Sequence, residues 1–346
     1  MSFSMLTFDV VMPLALLGIT LVALFLNRRV EGRLKMSFEE REFRVRDTVL
    51  FVVLISVAVS VIVFIPQMAL IALFLFSYSS LLFTFSYLFS SIRKRSAKLF
   101  CLGFALAGLA SGAVALMDPF ADSVMLYSGL GLLGLATFAF VALLYEQVRG
   151  DAKGRWYLAV MPPILFVLLF FVFLFEKPIT YPALALLDIF GAVFAVLITL
   201  YLATLFTWKI TFVFAVLLTI VDIILVLVTG FMVTAATHVA NLGLPVLISL
   251  PIIPLTQNVR FLSLGLGDFF FAGTLATQTY KKYGKKTAVV SAVAMTVSFG
   301  AFEAFLLSTD FGAFPGTLMI IVGWLLVVAW KLVAERKTKN ASVMGN

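Results

Sequence analysis

The sequence predicts an all-α fold, a polytopic bundle of transmembrane helices, and three observations carry that prediction. Of the 346 residues 63% are hydrophobic and 12% are charged, about half the charged share of a water-facing domain. The apolar residues fall in runs of about 20, the length a helix needs to cross the hydrocarbon core. The basic residues, which leave a net charge of +8, gather in short segments between those runs.

Taken in order, the runs cover residues 8–27, 48–66, 68–92, 98–117, 123–146, 156–175, 182–207, 210–229, 259–280, 287–308 and 313–331, eleven candidate spans. The first has no basic leader and is followed by Arg28-Arg29, so it reads as an anchor and not as a cleaved signal. The segments between runs alternate. Basic ones lie at 28–46, 93–98, 149–155, Lys209, 281–286 and from Lys331 onward; basic-poor ones lie at 65–67, 118–123, 176–182, 230–258 and 309–313. The positive-inside rule then predicts an outer N-terminus and a cytoplasmic C-terminus. Trp156, Trp208 and Trp330 each adjoin a basic residue, as aromatic residues at the inner interface do. Arg260, at the start of the 259–280 run, reads as an interface anchor.

The same charge pattern sorts partners. Basic loops would meet anionic lipid heads at the inner face, and no basic module of groove size points to nucleic acid. Oligomeric state is not readable. Cys101 and His238 are each the only residue of their kind, too few for an intrachain disulfide or a zinc site, and no metal or cofactor is expected. The 230–258 stretch holds His238, Asn241, Gly243, Pro245, Pro251 and Pro254, which excludes one straight helix and predicts a partly unwound segment. His238, beyond the end of its run, reads as a loop or surface residue.

Four acids fall inside the runs: Asp188, Asp222, Asp268 and Glu303. An ionisable group at that depth costs several kcal/mol and marks a functional site by default. Asp222 is thirteen residues from Lys209, and Asp268 thirteen from Lys281. Each carboxyl is thus about 20 Å along its helix from a basic inner end. Two consecutive antiparallel spans bring these two acids to one depth. Asp188 and Glu303 lie nearer the outer ends, without a partner at matching depth, and are set aside from the pair. Two carboxyls close together in a low dielectric share one proton. One can then take a proton from water while the other polarises a peptide carbonyl, the chemistry of aspartyl proteolysis.

Asp268 closes the sequence Gly265-Leu266-Gly267-Asp268. Two glycines within one turn cost about 1 kcal/mol each in a helix interior; they let another backbone approach, or permit a kink or strand ahead of the acid. This segment, with Gly273 beyond it, resembles the GxGD signature of the signal peptide peptidase and presenilin family of intramembrane aspartyl proteases. The stretch after Asp222, with Val226, Thr229, Met232-Val233-Thr234 and Ala236, is similar to that family's first-aspartate helix. Phe314-Pro315-Gly316-Thr317-Leu318 falls where the family carries Pro-Ala-Leu. The likeness covers about residues 200–330. Val221 stands where the family has Tyr, and Gly316-Thr317 stands where it has Ala-Leu.

The resemblance implies a nine-span catalytic membrane domain over 67–346, preceded by an extra N-terminal hairpin over 1–66. It implies Asp222 and Asp268 as catalytic residues, and Gly265, Leu266, Gly267, Pro315, Gly316, Thr317 and Leu318 at the substrate. The 245–254 stretch and Leu262–Leu264 are where an unwound substrate would pair as an added strand. A cytoplasmic C-terminus favours the signal peptide peptidase side, whose substrates are single membrane spans such as leftover signal peptides. Two rivals stand beside it. A proton- or ion-coupled transporter would use the four acids as a relay, but predicts internal repeats that the sequence lacks. A prepilin-type peptidase shares the acid signature but cuts at the cytoplasmic boundary, far from acids about 20 Å deep.

Overall fold

The computed structural model describes residues 9–37, 43–117, 123–146, 155–170, 181–241, 246–252, 261–309 and 314–344. Gly243, Pro245, Pro254 and Arg260 lie outside these. The chain forms two compact units, residues 1–69 with 184–346, and residues 70–183.

The first unit carries all four intramembrane acids. Its helices are α1 (Val11–Ser37), α2 (Val45–Phe64), α8 (Tyr181–Leu205), α9 (Trp208–Ile223), α10 (Phe231–Asn241), α11 (Leu266–Tyr283), α12 (Lys285–Ser308) and α13 (Gly316–Met344), with strands β1 (Leu247–Pro251) and β2 (Phe261–Gly265) before α11. Among the described residues six helices are long and apolar enough to cross a membrane, and all six belong to this unit: Val11–Gly32, Val45–Phe64, Leu187–Leu205, Trp208–Val228, Lys285–Ser308 and Gly316–Arg336. The protein is a helical, multi-pass integral membrane protein. Within this unit α1 and α2 pack onto the acid-bearing part: α1 against α11 and α12, α2 against α9 and α10.

The run expected as one span over 259–280 is not one helix. Residues 261–265 are strand, and α11 begins only at Leu266. Gly265 makes the change of direction in extended conformation, at φ −67° and ψ 143°. From there α11 is buried at nearly every position between Phe269 and Thr279, enclosed by α1, α9, α12 and α13. A helix lined by protein need not be greasy. Two of its threonines return their hydroxyls to their own helix, Thr277 to the Gly273 carbonyl and Thr279 to that of Leu275. Gly273 lets α8 approach so closely that a Cβ there would lie 2.7 Å from the Thr199 methyl. Further along, Gln278 donates to the Ala203 and Phe206 carbonyls and Lys281 to Ala203, capping the open end of α8.

Two other departures have visible causes. The first helix does not stop at Arg28-Arg29 but runs on to Ser37, where Glu31 pairs with Lys281 of α11 at 2.9 Å. The 210–229 run is α-helical only to Ile223 and continues as one wider π-turn over Ile224–Val228, a feature that recurs at functional sites.

At one end of the bundle Trp208 packs edge-on to Tyr283, ring centroids 5.3 Å apart. Trp208 also meets Trp324, whose indole N–H donates to the Thr279 hydroxyl at 2.9 Å. The start of α9 and the end of α11 are therefore level. Close to that clasp α13 presses on α12 through Gly323, where an added Cβ would lie 2.8 Å from Met295 Cα and inside contact distance of Ala294 backbone. Backbone cannot rotate aside, so Gly323→Ala is expected to lower stability by about 1–3 kcal/mol, read as an earlier thermal unfolding transition in detergent.

The second unit comprises most of α3 (Pro66–Leu88), with α4 (Lys94–Met117), α5 (Ser123–Tyr145), α6 (Trp156–Ala159) and α7 (Met161–Leu169). The 156–175 run is thus interrupted at Val160 within its described part. Helices α4 and α5 pack through Gly108, Gly112 and Gly129, where any Cβ at 108 or 129 would fall within 2.9 Å of the other backbone. Arg155 ties the loops together, pairing with Glu146 at 2.9 Å and donating to the Ile92 carbonyl.

Candidate functional site

Asp222 lies in the last turn of α9, just before the π-turn, and is 9% exposed. Asp268 lies in the first turn of α11. What joins them is the start of α13. The Thr317 hydroxyl donates to Asp222 Oδ2 at 2.6 Å, and the Thr317 backbone N–H reaches the same oxygen at 3.4 Å. The neighbouring Gly316 receives the other acid: a Cβ built on it would stand 2.5 Å from Asp268 Oδ1 and 2.8 Å from Oδ2. Adjacent residues of one helix start thus adjoin the two carboxyls, which are close enough for the charge of Asp222 to act on Asp268.

The location has an electrostatic logic. Unsatisfied N–H groups and the helix dipole make an N-terminus electropositive. Asp268 sits in the first turn of α11, and Asp222 accepts from the first turn of α13. Two helix starts therefore support the two acids.

Beside the acids is a cavity of about 360 Å³. Asp222 and Val226 line it from the end of α9 and its π-turn, Met232, Val233 and Ala236 from α10, and Leu262–Gly265 from β2. Phe299, Glu303, Leu306 and Leu307 line it from α12, the i, i+4, i+7, i+8 face of one helix. An apolar cavity with a few converging polar groups is the form of a binding site.

The β1–β2 hairpin forms one wall. Its antiparallel register pairs Leu247 with Gly265 and Ser249 with Ser263, with the two serine hydroxyls 2.6 Å apart. Leu266 N–H donates to the Val246 carbonyl at the base. The Ser249 N–H points away from β2 and donates to Asp188 Oδ1 at 2.8 Å. The Ser249–Ser263 pair is therefore the wide kind, and the Ser263 backbone groups face the other edge of β2. Asp188 thus occupies the outer edge of β1 at Ser249.

That gives Asp188 a positioning part which depth alone did not reveal. Asp188→Ala is expected to speed amide hydrogen exchange across Leu247–Leu250, since leaving the part-buried Ser249 N–H unpaired loosens the strand that carries it. Asp188→Asn, which keeps a carbonyl acceptor, is expected to restore the slow rate.

Among the other expected site residues, Gly265 and Gly316 line the cavity while Leu266, Gly267, Pro315, Thr317 and Leu318 are not among its lining residues. Pro315 and Thr317 are buried, and Thr317 acts on Asp222. His238 is half-buried near the end of α10 and does not line the cavity.

No protein-family model, curated protein or solved structure matches the chain.

Glu303, set aside by depth, lines the same cavity as the pair. The readable signal was its face of α12, since Phe299, Leu306 and Leu307 share that face at helical spacing.

Proposed function

We propose that this protein is an intramembrane aspartyl protease that hydrolyses peptide bonds within membrane-spanning segments, with Asp222 and Asp268 as its catalytic pair. The observation that carries the reading is the convergence of both carboxyls on Gly316-Thr317 beside one cavity that both acids line. Asp222 Oδ2, which accepts from Thr317 twice, suits the charged member that takes a proton from water. Asp268 suits the member that holds the shared proton and donates it toward the peptide carbonyl. The attack yields a tetrahedral diol, which collapses as the leaving amine takes up a proton.

A helical substrate must unwind before such a bond can be reached. The β2 edge lines the cavity beside Asp268, so an extended substrate segment adds there as a third strand. The edge of β1 is engaged by Asp188, which leaves β2 as the pairing edge. The resemblance to signal peptide peptidases, the nine-span core over 67–346 and a cytoplasmic C-terminus belong to the same proposal. Single-span substrates such as leftover signal peptides follow from it.

The test is incubation of the detergent-purified chain with a helical membrane-spanning peptide, products being read by mass spectrometry. Cleavage within the hydrophobic segment supports the reading. An intact peptide, together with substrate-driven proton or cation flux in proteoliposomes, would replace it with transport, a reading to which the third acid in the cavity, Glu303, lends support.

A further inference from the structure

Glu303 is 3% exposed, and neither carboxyl oxygen has a hydrogen-bond partner among the described residues. Burying such a group unpaired is unfavourable, more so when it is charged, and calls for an explanation. It lies on the cavity face of α12, between Phe299 and Leu307, in the wall of the same cavity as Asp222 and Asp268. Among the described residues that line the cavity are three acids and no Lys, Arg or His. Asp9 adds a fourth acid from outside the wall: its carboxylate caps α1 through the Val11 and Met12 N–H groups, and it lies near enough to act on Glu303. A cavity of this kind offers acceptors and negative charge, and no cationic side chain among its described lining residues answers them.

We infer that Glu303 is a specificity residue, receiving a cationic side chain, Lys or Arg, of the membrane-spanning segment that enters this cavity. The inference rests on reading the cavity as the substrate site. An apolar side chain in the same place would leave the carboxyl unpaired, and sites built to pair a polar group discriminate strongly against analogues that lack it. Register follows from helical rise. Glu303 is eighteen residues from Lys285, about 27 Å along α12, whereas each catalytic candidate is about 20 Å from its own basic helix end. The offset is about 7 Å, which an extended chain covers in about two residues. The cation therefore belongs about two residues from the scissile bond, on the side remote from Lys209, Lys281 and Lys285.

The experiment is a register scan. A single-span peptide carries one Lys, moved position by position, and is compared at each position with a norleucine peptide. Binding to the full-length chain in detergent is measured by fluorescence anisotropy, and cleavage in parallel. At one register the Lys peptide is expected to bind about tenfold tighter than norleucine, as a charge-assisted hydrogen bond supplies, and Glu303→Gln is expected to bring that ratio to about one. A flat scan on the unaltered chain overturns the inference without any variant, as does a Lys preference that survives Glu303→Gln. A Lys preference without hydrolysis upholds the Glu303 site and removes proteolysis; hydrolysis with a flat scan removes only the Glu303 site.

Discussion

Asp222→Asn and Asp268→Asn are each expected to lower the rate of peptide cleavage by about 10²–10⁴-fold, the range for losing a general acid or base. Asn has nearly the shape of Asp, and at 222 its carbonyl can still accept from the Thr317 hydroxyl, now 2.6 Å away. The fold should therefore persist, with thermal unfolding in detergent little changed. The more searching measurement is the double variant. Two groups that work as a unit are grossly non-additive, so the double variant should be hardly slower than either single one. Independent contributions would multiply instead. Full activity in either single variant would end the pair as the catalytic centre.

Gly316→Ala carries the second large effect, and here geometry and resemblance point in opposite directions. The family that the sequence resembles has Ala at the matching position, which implies tolerance. In this chain a Cβ at 316 would stand 2.5 Å from Asp268 Oδ1 and 2.6 Å from Cγ. The obstacle is the end of a short side chain, so Asp268 can turn aside and the helices need not separate. Stability should then change little. Activity should not survive as well, because displacing a reacting group by about 1 Å can cost about 10²-fold. Gly316→Ala is thus expected to lose cleavage by about that factor while unfolding near the original temperature. Unchanged cleavage would mean that Asp268 works from a different rotamer.

Much of the bundle was legible because hydropathy reports which helices face lipid. The same scale misreads a helix that faces only protein. Residues 259–280 scored as one span, yet their first part is strand and their helix is rich in Gly, Thr and Gln. Its neighbours, not the bilayer, determine what it may contain. The length of α1 was hidden for a related reason: Arg28 and Arg29 mark a boundary by charge, while Glu31 and Lys281 hold the helix together beyond it.

The acids divide along the same line. Thirteen-residue spacings to Lys209 and Lys281 placed Asp222 and Asp268 at one depth, and the level contact of Trp208 with Tyr283 agrees with that count. Depth could not assign Asp188 to a strand edge 61 residues away, nor Glu303 to the cavity wall. Rise along a helix gives height, while rotation about its axis and the identity of its neighbour depend on packing.

By itself, then, the sequence determined a multi-pass helical membrane protein, two acids at matched depth, and a Gly-Leu-Gly approach to the second. These follow from properties counted along the chain: apolar length, helical rise and the freedom of glycine. Only the tertiary structure decided what holds the pair. Thr317 and Asp222 are 95 residues apart, and their meeting with Gly316 and Asp268 depends on how α9, α11 and α13 pack, because side chains so distant along the chain become neighbours only when helices choose their partners.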